Sequence, residues 1–308
     1  MPDAFRQNVG RNVWRWFAVA VFCLSGLSGC VLDQAFYYPS KTDYGNPGKE
    51  GLKYETVRFA SRDGTQLSGW FLPAAHAADP RNAKGTVIHV HGNAENVSAH
   101  WPFVGWLSSR DYNVFLFDYR GFGHSEGAPN PKGVFEDTQS AFDYVRTRAD
   151  VNPEKLLVFG QSLGGNNAIA AVGAGNRAGI RAVAVEGTFY SYAAIANDKL
   201  FGAGLLVNND YSAHRYIGKL PPIPLLLIHG TSDNLVPYRH SERLFALAGE
   251  PKQLVLIPGG GHIDAMTPRY GRAYQDLLAA FFDEALAKAD GTKNSGYTSN
   301  QFPQPDPS

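Results

Sequence analysis

Eight short apolar or alternating runs, each closed by turn-forming residues, divide this chain between Glu55 and Ile257, and few folds accommodate them. They occupy residues 55–60, 67–72, 86–90, 113–117, 155–159, 182–185, 225–228 and 253–257. The first two lie one turn apart across Ser61-Arg62-Asp63-Gly64-Thr65, which predicts an antiparallel hairpin. The later runs are continuously apolar, as strands buried on both faces are. Between them lie helix-period stripes. Val134/Phe135, Thr138, Ala141/Phe142 and Val145 form one, and Tyr270, Ala273/Tyr274, Leu277/Leu278 and Phe281 another. This alternation predicts an α/β domain with an eight-stranded, mostly parallel sheet and helices on both faces. Such sheets bind ligands beyond the carboxyl ends of their strands, so the residues after each run are the candidate functional ones.

Charge adds an exclusion. Lys+Arg and Asp+Glu each number 28, giving a formal net charge of zero and no basic footprint for nucleic acid. Hydrophobic residues make up 44% of the 308, enough for a large core. Two cysteines cannot build a disulfide framework or a four-cysteine zinc site.

Both cysteines lie near the N-terminus. Arg11 and Arg15 precede an apolar stretch at 16–24, small residues follow, and no charge intervenes between Arg15 and Asp33. That core suits a signal peptide and is too short to span a bilayer. A buried helix or an uncleaved anchor are the alternatives. Leu27-Ser28-Gly29-Cys30 resembles the lipobox of bacterial lipoproteins. The resemblance implies cleavage before Cys30, acylation of Cys30, and a lipid-anchored protein of the bacterial cell envelope on the extracytoplasmic, periplasm-facing side. The expected organisation is a signal peptide over 1–29, a lipidated tether over 30–53, the α/β domain over 54–290 and a disordered tail over 291–308. Loss of 1–29 leaves 25 basic against 27 acidic residues, a slightly acidic mature protein.

The pattern Gly-x-Ser-x-Gly occurs at 123–127, around Ser125, and at 160–164, around Ser162. Only the second follows an apolar run directly and is followed by a helix-compatible stretch of small residues. After Ser125 come Pro129 and Pro131, which stop a helix, so Ser125 reads as a loop serine. Ser162 is therefore the candidate nucleophile. A serine nucleophile needs a base and a group to orient it. His262 follows the last run in Pro258-Gly259-Gly260-Gly261-His262, and Asp233 follows the seventh in His229-Gly230-Thr231-Ser232-Asp233. Glu186, after the sixth run, is the alternative acid, and Asp118 is expected to anchor a turn. The oxyanion donors are expected to be the backbone N–H of Leu163 and that of Asn93, or failing it Ala94, in the loop after the third run. His91 is expected to tie that loop down. His89 and His91 share one strand face but lack a nearby third ligand, so no metal or other cofactor is expected.

The serine, acid and histidine stand in the chain order of alpha/beta hydrolases, which the sequence resembles from about Tyr54 to Asp290. His-Gly-Asn-Ala at 91–94, Asp-Tyr-Arg-Gly-Phe-Gly at 118–123, Gly-Gln-Ser-Leu-Gly-Gly at 160–165 and His-Gly-Thr-Ser-Asp at 229–233 are similar to one branch. That branch contains serine-aminopeptidase-like hydrolases and depalmitoylase-like domains. The resemblance implies a serine hydrolase acting on a small-molecule or acylated substrate through an ester, a thioester or an amide. The alternatives are a peptidase-type amide hydrolase and a non-catalytic lipoprotein using the scaffold for binding. A short lid is expected between the sixth and seventh strands, at 186–224. Its Phe189, Tyr190, Tyr192, Phe201, Leu205 and Leu206 either wall an acyl site or pack the core. Nothing in the sequence names a protein partner.

Overall fold

The eight runs form one eight-stranded sheet. Its strands are β1 (Glu55–Ala60), β2 (Gln66–Leu72), β3 (Thr86–Val90), β4 (Asn113–Phe117), β5 (Leu156–Gln161), β6 (Ile180–Glu186), β7 (Leu225–Gly230) and β8 (Lys252–Ile257). The computed structural model describes residues 36–289, so the expected signal peptide, Cys30 and the expected tail over 291–308 lie outside the described residues. The chain divides into two compact units, Met1–Tyr37 and Tyr38–Ser308, and the sheet belongs to the second.

Across the sheet the order is β1-β2-β4-β3-β5-β6-β7-β8. β1 pairs antiparallel with β2, and β2 with β4; every later pairing is parallel. From β3 the chain first goes outward to β4, then returns to β5 on the other side. That reversal opens a crevice at the carboxyl ends of β3 and β5, where ligands bind in open parallel sheets.

Three strands run further than apolarity predicts. Gln161, Glu186 and Gly230 all remain in register, with Gln161 opposite Glu186 and Gly230 opposite Ile257. Polar and glycine residues read as turn signals, yet here they carry the sheet up to the crevice.

The helices are α1 (Pro131–Thr147), α2 (Leu163–Gly173), α3 (Tyr192–Lys199), α4 (Arg239–Leu247) and α5 (Ala273–Ala289). Asn130 starts α1 by accepting a hydrogen bond from the Gly133 N–H at 2.9 Å, with Pro131 at the first helical position. On one face of the sheet Leu72, Leu116, Leu157, Phe159, Leu226 and Ile228 pack with Leu278 and Phe282 of α5. Each such side chain contributes about 1.5–3 kcal/mol by leaving water.

Arg120, just past β4, fastens three elements. Its guanidinium meets Asp137 of α1 at 2.8 Å, Asp63 of the hairpin turn at 2.7 Å and the Ser61 hydroxyl at 3.2 Å. Residues 38–53, expected as part of a tether, are also fastened. Tyr38–Pro39 pairs in parallel with Ala94–Glu95, and the Asn96 amide donates to the carbonyls of Ser40 and Thr42. Between β6 and β7 the chain forms α3 and three 3-10 turns, Ala203–Leu206, Ala213–Arg215 and Ile217–Lys219.

Candidate active site

Ser162 sits in the turn from β5 into α2 with φ 52° and ψ −116°, a conformation non-glycine residues avoid at about 1–3 kcal/mol. Its backbone is held on both sides. The Ser162 N–H donates to the Glu186 carbonyl at 2.8 Å, and its own carbonyl accepts from the Thr188 hydroxyl at 2.9 Å. So tight a turn requires bare backbone around it. A Cβ on Gly164 would lie 1.8 Å from the Val90 carbonyl oxygen, and one on Gly165 would lie 2.6 Å from the Thr188 Cβ. Leu163 opens α2, so its N–H has no acceptor within the helix.

Beyond β3, each carbonyl from His91 to Glu95 is taken by a donor. The Tyr119 hydroxyl donates to His91 O (2.7 Å), His91 Nδ1 to Gly92 O (2.8 Å) and Tyr38 N to Asn93 O (3.1 Å). His100 Nε2 donates to Ala94 O (3.0 Å) and Ser40 N to Glu95 O (3.1 Å). In a trans peptide the N–H points opposite its carbonyl. Fixing Gly92 O against the His91 ring therefore fixes the direction of the Asn93 N–H. Gly92 itself lies against the serine: a Cβ there would be 3.7 Å from that of Ser162.

Asp233 and His262 meet beyond the carboxyl ends of β7 and β8, with Asp233 Oδ2 at 2.7 Å from His262 Nδ1. A carboxylate only accepts, so Nδ1 carries the proton and Nε2 is left as the basic nitrogen. The backbone N–H groups of Leu235 and Val236 donate to Asp233 Oδ1, both at 2.8 Å. His229 Nε2 lies 3.1 Å from Asp233 Oδ2 and 2.7 Å from the Val236 carbonyl. Because that carbonyl can only accept, His229 is protonated on Nε2, and its Nδ1 accepts from the Ser241 hydroxyl at 2.7 Å. Burial opposes ionisation of Asp233, but hydrogen bonds from His229 and His262 outweigh it and hold the carboxyl well below its usual range.

Ser162 and His262 both meet the chain where it leaves β6. A Cβ on Gly187, the residue after the carbonyl that holds Ser162 N, would lie 3.3 Å from the His262 ring. The Ser162 Oγ to His262 hydrogen bond itself is not made among the described residues; such contacts commonly tighten only when substrate is bound.

Glu186 faces elsewhere than His262. It accepts from Gln161 Nε2 and from the Ala265 N–H, each at 2.8 Å, so it links the residue before the serine to the loop carrying the histidine. Burial raises its carboxyl to about 7. Gln161 Oε1 in turn meets His89 Nε2 at 3.0 Å, and burial lowers the His89 imidazole to about 3. Asp118 accepts from the Val97 N–H at 2.8 Å, starting the helical turn Val97–His100. Ser125 is buried, with its hydroxyl donating to Asp118 O (2.7 Å) and accepting from Ser68 N (2.9 Å). His91 and His100 stack with ring centroids 5.0 Å apart and planes at 25°, so their nitrogens do not converge. Among the described residues no group of three His, Cys, Asp or Glu could hold a metal.

His229, Thr188 and Tyr119 escaped the sequence reading. His229-Gly230 repeats the His-Gly pair of 91–92 at another strand end, which was the available signal. Thr188 and Tyr119 gave none. In the 186–224 connection, Phe189 and Tyr192 are buried, whereas Phe201, Leu205 and Leu206 are exposed.

A strand-ended serine turn, an Asp–His pair and this sheet order define an alpha/beta hydrolase, and the chain belongs to that superfamily. The family model described as serine aminopeptidase, S33, matches residues 81–206. The uncharacterized protein YfhR of Escherichia coli K12 is 50% identical over 280 residues, covering 91% of this chain and 96% of that one. Among solved structures, the Pyrococcus furiosus esterase Pf2001 superimposes with a TM-score of 0.64 at 19% identity, over 82% of this chain and 98% of that one. A puromycin-hydrolyzing peptidase of Mycobacterium tuberculosis gives 0.62 at 20% identity, over 80% and 40% respectively.

Proposed function

We propose that the protein is a serine hydrolase that cleaves carboxylic ester or thioester bonds through an acyl-enzyme, held at the bacterial envelope membrane by lipid on Cys30. The observation that carries this reading is the 2.7 Å Asp233–His262 pair, which leaves His262 Nε2 as the base beside the strained turn at Ser162.

In the first half-reaction His262 Nε2 takes the Ser162 proton while Oγ bonds to the substrate carbonyl carbon. The oxyanion sits between the N–H groups of Leu163 and Asn93, each such donor being worth about 2.7–4 kcal/mol to the transition state. The carbon–oxygen or carbon–sulfur bond to the leaving group then breaks, and that group leaves with the proton from His262. In the second half, water gives its proton to His262 and its oxygen to the acyl carbon, and Ser162 departs reprotonated. Asp233 holds the imidazole in the required tautomer throughout.

The aminopeptidase-type family model favours amide cleavage as a second reading. An aminopeptidase must also hold a substrate ammonium. The carboxylates of Asp118, Glu186 and Asp233 are each engaged by protein donors, so none of these three is a ready partner for it. Turnover of acyl esters, acyl thioesters and aminoacyl amides by wild type and Ser162→Ala separates the two. Ester or thioester turnover lost in Ser162→Ala is expected; turnover retained by that variant contradicts the assignment.

A further inference from the structure

The connection from β6 to β7 sorts its apolar residues sharply. Phe189 and Tyr192 are buried, but Leu200 is 70% exposed, Phe201 100%, Leu205 91% and Leu206 70%. Isolated exposed apolar residues are ordinary; four within seven positions mark an interaction surface. The segment is built to project them. Gly202 reverses the chain at φ +85°, and the Gly204 N–H donates to Asn197 Oδ1 of α3 at 2.8 Å. A Cβ on Gly204 would lie 2.5 Å from the Ala193 carbonyl, so glycine alone lets the turn press flat on α3 and push its neighbours outward. Asp198 of α3 pairs with Arg239 and His240 at the start of α4. That pairing brings the preceding loop, with Asp233 and the half-exposed Leu235, to the same edge.

We propose that Leu200, Phe201, Leu205 and Leu206 form a knob that enters the surface of a lipid bilayer, so that the candidate site takes its acyl substrate from that surface. No charged residue lies between Lys199 and Asp210, as insertion among lipids requires. Tether length points to the same occupant. Cys30 precedes Tyr38 by eight residues, a span of at most about 28 Å when fully extended. The Tyr38 N–H is bonded to the Asn93 carbonyl beside the serine turn. Lipid on Cys30 therefore keeps the carboxyl-end face of the sheet, where the connection carrying the knob leaves β6, close to the bilayer. The proposal rests on the serine-hydrolase reading and on lipidation of Cys30.

The test uses the full-length, processed protein reconstituted in phosphatidylcholine–phosphatidylglycerol vesicles. An environment-sensitive fluorophore is placed on Leu205→Cys and, as the control, on Glu154→Cys at the opposite end of the sheet, with label positions verified by peptide mass. Quenching by spin-labelled lipid is expected at 205 and not at 154. In parallel, Phe201→Ser/Leu205→Ser/Leu206→Ser should lower the ratio of vesicle-ester to soluble-ester turnover by about tenfold or more. Equal quenching at both positions, or an unchanged turnover ratio, overturns the proposal. So does concentration-dependent self-association that the triple variant abolishes without lipid quenching, since the knob would then bind a second copy. Absence of Ser162-dependent turnover on the soluble ester would overturn the hydrolase reading instead, while the quenching arm still decides the docking.

Discussion

Ser162, His262 and Asp233 differ in how much protein surrounds them, and that decides what each substitution should do. Asp233 accepts from two backbone N–H groups and two imidazoles. Asp233→Asn preserves the shape but favours the wrong His262 tautomer, so kcat on an acyl ester should fall by about 10⁴ with little change in KM. Glu186 predicts a pH effect. Folded, it keeps its proton to about 7 against an ordinary 4.5, so the folded state binds more protons between those values and stability falls as pH rises across them. The span is worth roughly 3 kcal/mol. Glu186→Gln should remove that contribution, read as the difference between the wild-type and variant slopes in urea unfolding from pH 4.5 to 7. Asp118, which burial also raises to about 7, acts in the same direction in both proteins, and the buried His89, lowered to about 3, acts in the opposite one. An unchanged slope would mean that Glu186 is ionised when folded. Ser162, Asp233 and His262 were legible as candidates because each stands where an apolar run stops. His229 was marked only by its His-Gly pair, and its role was not legible, since that depends on Val236 and Ser241, which tertiary folding brings to it.

The elements are held by close backbone approach at the site and by ion pairing away from it. Gly164→Ala places a methyl where the Val90 carbonyl oxygen sits, so β3 and α2 must separate. Both esterase activity and the melting temperature should drop, whereas Gly175→Ala, with nothing within 4 Å of its added Cβ, tests backbone strain alone and should be milder. Asp137 is fully buried against Arg120, and Asp137→Ala leaves that guanidinium only the half-exposed Asp63 and the Ser61 hydroxyl. Removing one partner of a buried pair typically costs about 3–5 kcal/mol, measurable as a shift of the denaturation midpoint. Strand existence was legible because runs such as 156–159 are wholly apolar. Strand ends were not, because Gly160 and Gly230 look like turn residues but pair within the sheet, their missing side chains leaving room for α2 and the His262 loop. The anchoring of residues 38–53 was equally hidden, being shared between backbone pairing with residues 93–95 and side chains such as Asn96 and Ser98 that only the folded chain brings to it.

For the whole molecule, the topology brings residues from far-separated stretches to one crevice. Asn93 arrives from the end of β3, Ser162 from β5, Glu186 from β6, Asp233 from β7 and His262 from β8. Strand–helix alternation predicted the parallel sheet, and chain order narrowed the candidate acid and base; the substrate leaves no comparable mark in the sequence, because this fold hosts many chemistries. The central claim is that one serine of two similar motifs is activated by its surroundings. Intact-protein and peptide mass measurement after exposure to a fluorophosphonate tests it directly. A single adduct is expected on Ser162, absent in Ser162→Ala, absent after heat unfolding and retained in Ser125→Ala. A folded wild-type protein with no adduct, or with its adduct on another residue, would contradict it.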